Sequence, residues 1–557
     1  DVERFWGLYR AGPEGIFLKR GSHMRVRFGG GAPWVHITHT PDPGTDRLYF
    51  SKAMVYSIAA APFVRVLGLN GFLVFHVLLL FIVAVCGYQF LAARSSPGAS
   101  LAFTLAFLAA AAVPVYAVFL TSDLFNFALV FVAYFLWAYK EVAPAGGSRA
   151  LRGFGSDVAA AALLGIATYS KLLNILLIAP PVLWLWYRRR WTRGVIVGCV
   201  FGVVMAALLG LTAWSSGEFN YQGGDRRSFY ARFPFETPDS TWDRLSEDPT
   251  HAVPMATDNT DAGSVLDPKE LPNRFVNNLE YFFVGRHFGF VPYFFPGVIA
   301  IALWLFSRER FAVWRVLTFL AVAVSALVIL LFFPYTWSGG GGPPGNRYFL
   351  NLYPVLFFLV PSVTMAPAIL AWIGGAMFTA TMLVNPFWAA KFTYDITARG
   401  FARRLPVELT MANDLPINLD RARSHLPYGE LMLYFLDEHA YPPERDGADP
   451  LAGVWVSGSG RADIIVRAEV PLHHFAMTAE APINTTLTVS AGAAPTQIHL
   501  VRGQRVAFDV PVSGVHDFKS YAYLLSAQSS DGFIPHLLEP KSDDKRNLGV
   551  MLRFVGR

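Results

Sequence analysis

Charge is scarce in this chain: Asp, Glu, Lys and Arg make up 15% of its 557 residues, apolar residues make up 54%, and mean hydropathy is +0.38. A soluble domain of that length carries more polar surface, so the composition excludes one. Cysteine is scarcer still: Cys86 and Cys199 are the only two, and both lie inside apolar segments. The polar regions therefore hold no disulfide, and thiol redox chemistry is not expected. Internal repeats, long low-complexity stretches and a nucleic-acid signature are absent, and the net charge of +6 reflects where the basic residues sit rather than a polyanionic partner. The chain begins at Asp1, without a Met or a signal peptide, in what reads as an outer loop.

What is abundant is apolar sequence. Ten segments, roughly 70–92, 101–120, 124–140, 157–170, 173–187, 194–214, 288–306, 316–334, 347–361 and 366–385, approach the length that crosses a bilayer. Threading them back and forth puts Arg94, residues 140–152, Arg188 to Arg190 with Arg193, and Arg308, Arg310 and Arg315 on one side, which the positive-inside rule makes cytoplasmic. The segment 157–187 reads either as one long helix or as two crossings joined near Lys171; only two crossings keep the Arg188 cluster inside. The fold class is thus a polytopic α-helical membrane protein of about ten spans. With both ends outside, a further transmembrane helix is expected before Asp1.

The outer side receives residues 1–69, 215–287, 335–346 and everything after 386. Residues 48–68 are amphipathic and are expected to lie along the membrane surface. Residues 215–287 read as a partly ordered lid. Residues 335–346 contain Gly339 to Gly342 and lead into Arg347-Tyr348, which suits a hinge that closes over a substrate. From about 451 to 557, period-two alternation at 453–457, 462–470, 485–489, 497–501 and 506–510 predicts a β-sandwich, joined through a mixed helical connector at 386–450.

Three cations fall at predicted outer ends of helices: Lys52, Lys171 and Arg347. Each alone reads equally well as a side chain snorkelling to the interface; three on one face point to an anion site at headgroup level. A sugar transfer at such a site also needs a carboxylate to take the acceptor's proton. The outer-face candidates are Asp123, Asp42 and Asp46, and Asp123 or Ser122 also reads as a plain helix cap before Leu124. Asp225, Arg226 and Arg227 suit an acceptor contact or a solvated loop. Of two histidine pairs, His36 with His39 and His473 with His474, the second is a poor ligand set, because neighbours on a strand face opposite ways. Gly339 to Gly342 lacks the ending of a nucleotide phosphate loop.

These strings resemble a known family. Tyr49-Phe-Ser-Lys52 with Tyr56 and Ala61-Pro62, Asp123 in the second outer loop, Ala167-Thr-Tyr-Ser-Lys171, and Arg347-Tyr-Phe-Leu-Asn-Leu-Tyr-Pro354 resemble elements of the C-type (GT-C fold) membrane glycosyltransferases, in the lipid A aminoarabinose transferase and protein O-mannosyltransferase branch. The resemblance covers about 45–385. It implies an inverting transfer of sugar from a polyprenyl phosphate to an envelope glycan, lipid or protein, in the bacterial cytoplasmic membrane with the terminal domain in the periplasm. Lys52, Lys171, Arg347 and Tyr348 would bind the lipid phosphate, Tyr56 would belong to the acceptor or lid side, and Asp123, Asp42 or Asp46 would serve as base. Some members use a divalent metal such as Mg or Mn, and whether this chain does is left open. Ser51 and Ala53-Met54 depart from the family's Glu-Lys-Pro-Pro string, and its first-loop aspartate would precede Asp1. Two other readings stay in play: a transporter or flippase, and an inactive scaffold of the same fold.

Overall fold

The computed structural model describes residues 16–20, 22–28, 35–41, 52–144, 148–216, 225–229, 271–340, 342–411, 414–415, 431–441, 443–445, 452–458, 460–517, 520–539 and 541–555. Asp42, Asp46 and much of the 215–287 loop fall outside the described residues. Five of the described helices are long and apolar enough to cross a bilayer: Asn70–Ala92, Asp123–Val142, Trp191–Trp214, Val313–Phe332 and Met365–Val384.

Three other apolar segments are broken rather than continuous. The segment at 101–120 is Pro97–Ala109 followed by Val113–Val118. Gly375 packs against the break, where a Cβ would come within 2.1 Å of the Ala110 carbonyl oxygen, and the freed Ala112 amide donates to the Tyr293 carbonyl at 2.8 Å. Backbone groups at membrane depth must be satisfied inside the protein, and this pairing does so. The segment at 288–306 is Phe290–Tyr293 and Phe295–Leu305, with Pro296 at the start of the second helix. The segment at 347–361 is a 3-10 turn, Phe349–Asn351, and a short helix, Tyr353–Phe357. Its apolar residues serve the protein core instead of lipid: Tyr353 stacks on Phe107 at 4.0 Å, and Phe357 and Phe358 pack on Phe90 and Phe131.

The segment 157–187 reverses at Lys171. Helix Phe154–Ser170 ends there, Lys171 takes extended backbone (φ −145°, ψ 108°), and a 3-10 run, Leu172–Ile178, leads into Ala179–Tyr187. Hydrogen bonds fix the directions. Lys140 Nζ, near the end of Asp123–Val142, donates to Asp157 at 2.5 Å, while Lys171 reaches Asp123 at the start of that helix. Trp184 then donates to Glu141 Oε1 at 3.0 Å, back at the helix end. The two legs are antiparallel, and the 3-10 rise of about 2.0 Å per residue lengthens the second.

The Lys140 end gathers the loops expected on the cytoplasmic side. Arg94 donates to Glu309 Oε1 at 2.8 Å and to the Glu141 carbonyl at 2.9 Å, Arg315 pairs with Glu309, and Arg188 lies 3.5 Å from Glu141. Carboxylates at the loop ends thus hold the basic residues in one layer.

The C-terminal strands form two antiparallel sheets. One orders Thr496–Leu500, Thr485–Ser490, Ser520–Ser529, Arg461–Ala468 and Met432–Phe435, with Gly514–Asp517 also on Ser520–Ser529; the other orders Val506–Pro511, His474–Glu480, Leu548–Phe554, Ala452–Ser457 and Glu444–Arg445. The sheets therefore begin upstream of residue 451, at Met432. Leu433, Val466, Leu487, Leu525, Val550 and Leu552 fill the space between them. On the other face of the first sheet, Tyr434, Ile465 and Ala522 belong to the core of the helical part. Strands covered on both faces lose the period-two signal, which is why Met432–Phe435 and Leu548–Phe554 are hard to read from sequence. A further two-stranded sheet pairs Ile16–Arg20 with Asp225–Phe229, so two segments expected in separate outer loops meet.

Buried charges join the sheets to the helices. Arg286 donates to Asp463 at 2.9 Å and to the Arg403 carbonyl at 2.8 Å, and Arg403 donates to Asp437 at 3.1 Å. Burial pushes the Asp437 carboxyl up to about 7, and the neighbouring Asp463 charge adds to the shift. An unfolded carboxyl titrates near 4, so its stabilising proton is fully held below about pH 4 and lost as pH rises through about 7. Asp437→Asn should flatten the fall in melting temperature across that window; an unchanged profile would exclude Asp437 as its cause.

Candidate functional site

At the end opposite Lys140, three separate elements deliver charge to one point. Asp123 opens its helix, Lys171 occupies the break at the reversal, and Arg347 follows the glycine loop. Lys171 pairs with Asp123 Oδ1, Arg347 Nε lies 3.3 Å from Asp123 Oδ2, and the Thr121 hydroxyl donates to Oδ2 at 2.5 Å. Ser122 is the N-cap and makes no side-chain cap bond, so the Asp123 carboxylate is engaged by cations rather than by capping. Asn126 steadies the same corner, donating to Ser170 Oγ at 2.9 Å and to the Ser122 carbonyl at 2.7 Å.

A cavity of about 830 Å³ opens beside this triad. Its polar lining includes Lys52, Tyr56, Lys171, Arg347, Tyr348 and Gly340. Its apolar lining includes Leu172, Ile175 and Leu176 of the 3-10 run and Val328 and Phe333. Asp123, with a side chain only 1% exposed, stands behind the cations and outside the lining, while Lys171 and Arg347 remain 14% and 18% exposed. One carboxylate shared by two cations leaves positive charge facing the cavity. Such a wall suits an anion whose attached chain is apolar.

The glycine loop is seated rather than swinging open. Arg347 N donates to the Ser338 carbonyl at 2.8 Å, Gly345 N to the His287 carbonyl at 2.7 Å, and Trp337 is fully buried. Gly339 has φ +95°, and a Cβ there would come within 2.9 Å of the Arg347 Cβ, so a side chain would displace the cation. Asp414, which sequence reading passed over, accepts from Ser338 Oγ at 3.4 Å and also bonds Thr336 and the Gly340 amide. Burial pushes its carboxyl up to about 6.

The remaining expectations fall elsewhere. Asp42 and Asp46 lie outside the described residues, and Asp225, Arg226 and Arg227 belong to the strand paired with Ile16–Arg20. Among the described residues no three His, Cys, Asp or Glu side chains are grouped to hold a metal ion, and the cations around the cavity do not suit Mg or Mn. His76, also missed, has its Nε2 2.9 Å from the hydroxyl of Tyr56, which lines the cavity. The signal was available: it is the lone ionisable side chain in the apolar helix Asn70–Ala92 apart from Cys86 and Tyr88.

No family model matches the sequence, and no curated protein matches it. Among solved structures, the chain is similar to ArnT from Cupriavidus metallidurans, crystallised bound to undecaprenyl phosphate, at 19% identity and a TM-score of 0.34. The match covers 62% of this chain and 57% of that one, so the chain spans little more than half of that protein's length.

Proposed function

We propose that the chain is a C-type membrane glycosyltransferase that moves a sugar from a polyprenyl phosphate to an envelope glycan, lipid or protein acceptor on the outer face of the bacterial cytoplasmic membrane. The observation that carries this reading is the cavity itself, lined by Lys52, Lys171 and Arg347 together with apolar side chains such as Leu172, Ile175 and Val328. The phosphate sits among the cations while the prenyl chain follows Leu172, Ile175 and Val328 toward hydrocarbon. Lys171 and Arg347 stabilise the negative charge that grows on the departing phosphate, with inversion at the anomeric carbon. Asp123 keeps both cations in place and is a positioning residue on this reading, because a carboxylate committed to two cations is a poor proton acceptor. The basic layer at the Lys140 end is cytoplasmic, and the β-sandwich lies in the periplasm, where it binds the acceptor or a partner.

One observation favours a second reading, a scaffold that binds carrier lipid without transfer: no carboxylate among the described residues lines the cavity. Purified protein in nanodiscs, offered undecaprenyl phosphate and then a panel of undecaprenyl-phosphate sugars, separates the two. Binding with release of undecaprenyl phosphate from a sugar donor supports the transferase. Binding alone leaves the scaffold, and no binding removes both.

A further inference from the structure

We propose that Tyr56 and His76 form the relay that removes the acceptor's proton, which rests on the transferase reading. A hydroxyl that attacks an anomeric carbon must lose a proton, and the carboxylates near the cavity are committed elsewhere. Asp123 is shared by Lys171 and Arg347, and Asp414 holds the glycine loop. Tyr56 lines the cavity, on a helix, Val55–Leu67, that packs against Asn70–Ala92, which carries His76.

The hydrogen bonds fix the tautomer. His76 Nδ1 lies 2.8 Å from the Ala117 carbonyl, which can only accept, so Nδ1 carries the proton. Nε2 is therefore the lone-pair nitrogen, and the Tyr56 hydroxyl donates to it at 2.9 Å. His76 is fully buried, and aromatic rings of Phe75 and Phe125 surround the pair. With its proton committed to His76, the Tyr56 Oη keeps its lone pairs for a second partner, and Tyr56 lines the cavity. An ionisable group buried in an apolar helix is costly, which is the pattern expected of a functional position.

In the step, the acceptor oxygen bonds to the anomeric carbon as the carbon–oxygen bond to phosphate breaks, its electron pair leaving on the phosphate. The acceptor's proton passes to Tyr56 Oη while the Tyr56 proton passes to His76 Nε2. The imidazolium is held by the Ala117 carbonyl. It then returns its proton through Tyr56 to the released phosphate monoester, which restores the starting state. Tyr56 is the catalytic residue and His76 its positioning partner.

A pair that only satisfies a buried histidine would tolerate His76→Gln, because the amide can donate to Ala117 and accept from Tyr56. It cannot take up a proton. For the relay, His76→Gln and Tyr56→Phe should each lower kcat by about 10²-fold with KM for the lipid-linked sugar unchanged. The acid limb of the wild-type kcat profile should vanish in His76→Gln. Wild-type transfer with a Gln variant within about threefold of it overturns the relay and leaves the transferase reading standing. Wild-type protein that binds undecaprenyl phosphate yet transfers from no donor in the panel overturns both. Nitrogen NMR of histidine-labelled protein gives an answer without turnover: a proton on Nε2 of His76 overturns the relay.

Discussion

Asp123→Asn should cost about 3–5 kcal/mol of stability, the penalty for removing one partner of a buried ion pair. The Asp123 side chain is 1% exposed and holds Lys171 and Arg347 together, so the amide leaves two mutually repelling cations in a corner that water barely reaches. The melting temperature in nanodiscs reads the loss. Adding Lys171→Met should recover much of it, since the second substitution removes one of the stranded charges; the double variant keeps the fold measurable if the single one fails to insert. A catalytic base would behave differently: its amide variant would lose turnover while melting with the parent. An Asn variant that is fully stable would show that the triad does not hold this end of the bundle together, and would return Asp123 to the role of base.

The separate pieces of this corner are visible in the sequence, and their pairing is not. Lys171 stands out because it interrupts an apolar run after Ser170, and Arg347 because it follows four glycines. Both are local signals. The contact between Asp123 and Arg347 spans 224 residues, and nothing in the local pattern says that one carboxylate serves two cations. Hence Asp123 reads as a base or a cap when taken alone, and as a counter-ion only once its partners are placed. Asp414 is invisible for the same reason, since its partners Thr336, Ser338 and Gly340 lie far upstream.

The grouping of the basic loops at one end is legible because it depends on a sum of charges rather than on any contact. Arg94, Lys140, Arg188 and Arg315 do meet in one layer, and the carboxylates that organise it are close by in sequence, Glu141 in the last turn of Asp123–Val142 and Glu309 in the turn before Val313–Phe332. Helix continuity is less legible. Hydropathy measures how apolar a stretch is, not whether its neighbours are lipid or protein, so the buried turn and short helix at 349–357 read like a span. The break at Ala110 depends on Gly375 coming close enough to touch its carbonyl, again a long-range fact. In the sheets the legible strands are those with one wet face, such as Thr485–Ser490, which alternates buried and half-buried residues, whereas Leu548–Phe554 is buried at every position.

Arg347→Ala should weaken undecaprenyl phosphate binding by roughly 10²-fold, the scale of losing one well-placed, charge-assisted partner of about 3 kcal/mol. The guanidinium is suited to two tasks at once. Its Nε is engaged with Asp123, and among the described residues no other carboxylate pairs with its terminal nitrogens, which a phosphate oxygen can take. Lysine cannot divide itself this way, because its ammonium is a single point on a flexible stem. Arg347→Lys should therefore recover only part of the affinity while restoring stability through Asp123. Alanine also leaves Lys171 a private ion pair with Asp123, which draws its charge away from the cavity and adds to the loss. The comparison of undecaprenyl phosphate with inorganic phosphate completes the test: both should weaken in Arg347→Ala, but Ile175→Asp on the apolar wall should weaken only the lipid. If Arg347→Ala binds the lipid as the parent does, the cations serve only the fold, and the phosphate has no place at this end of the cavity.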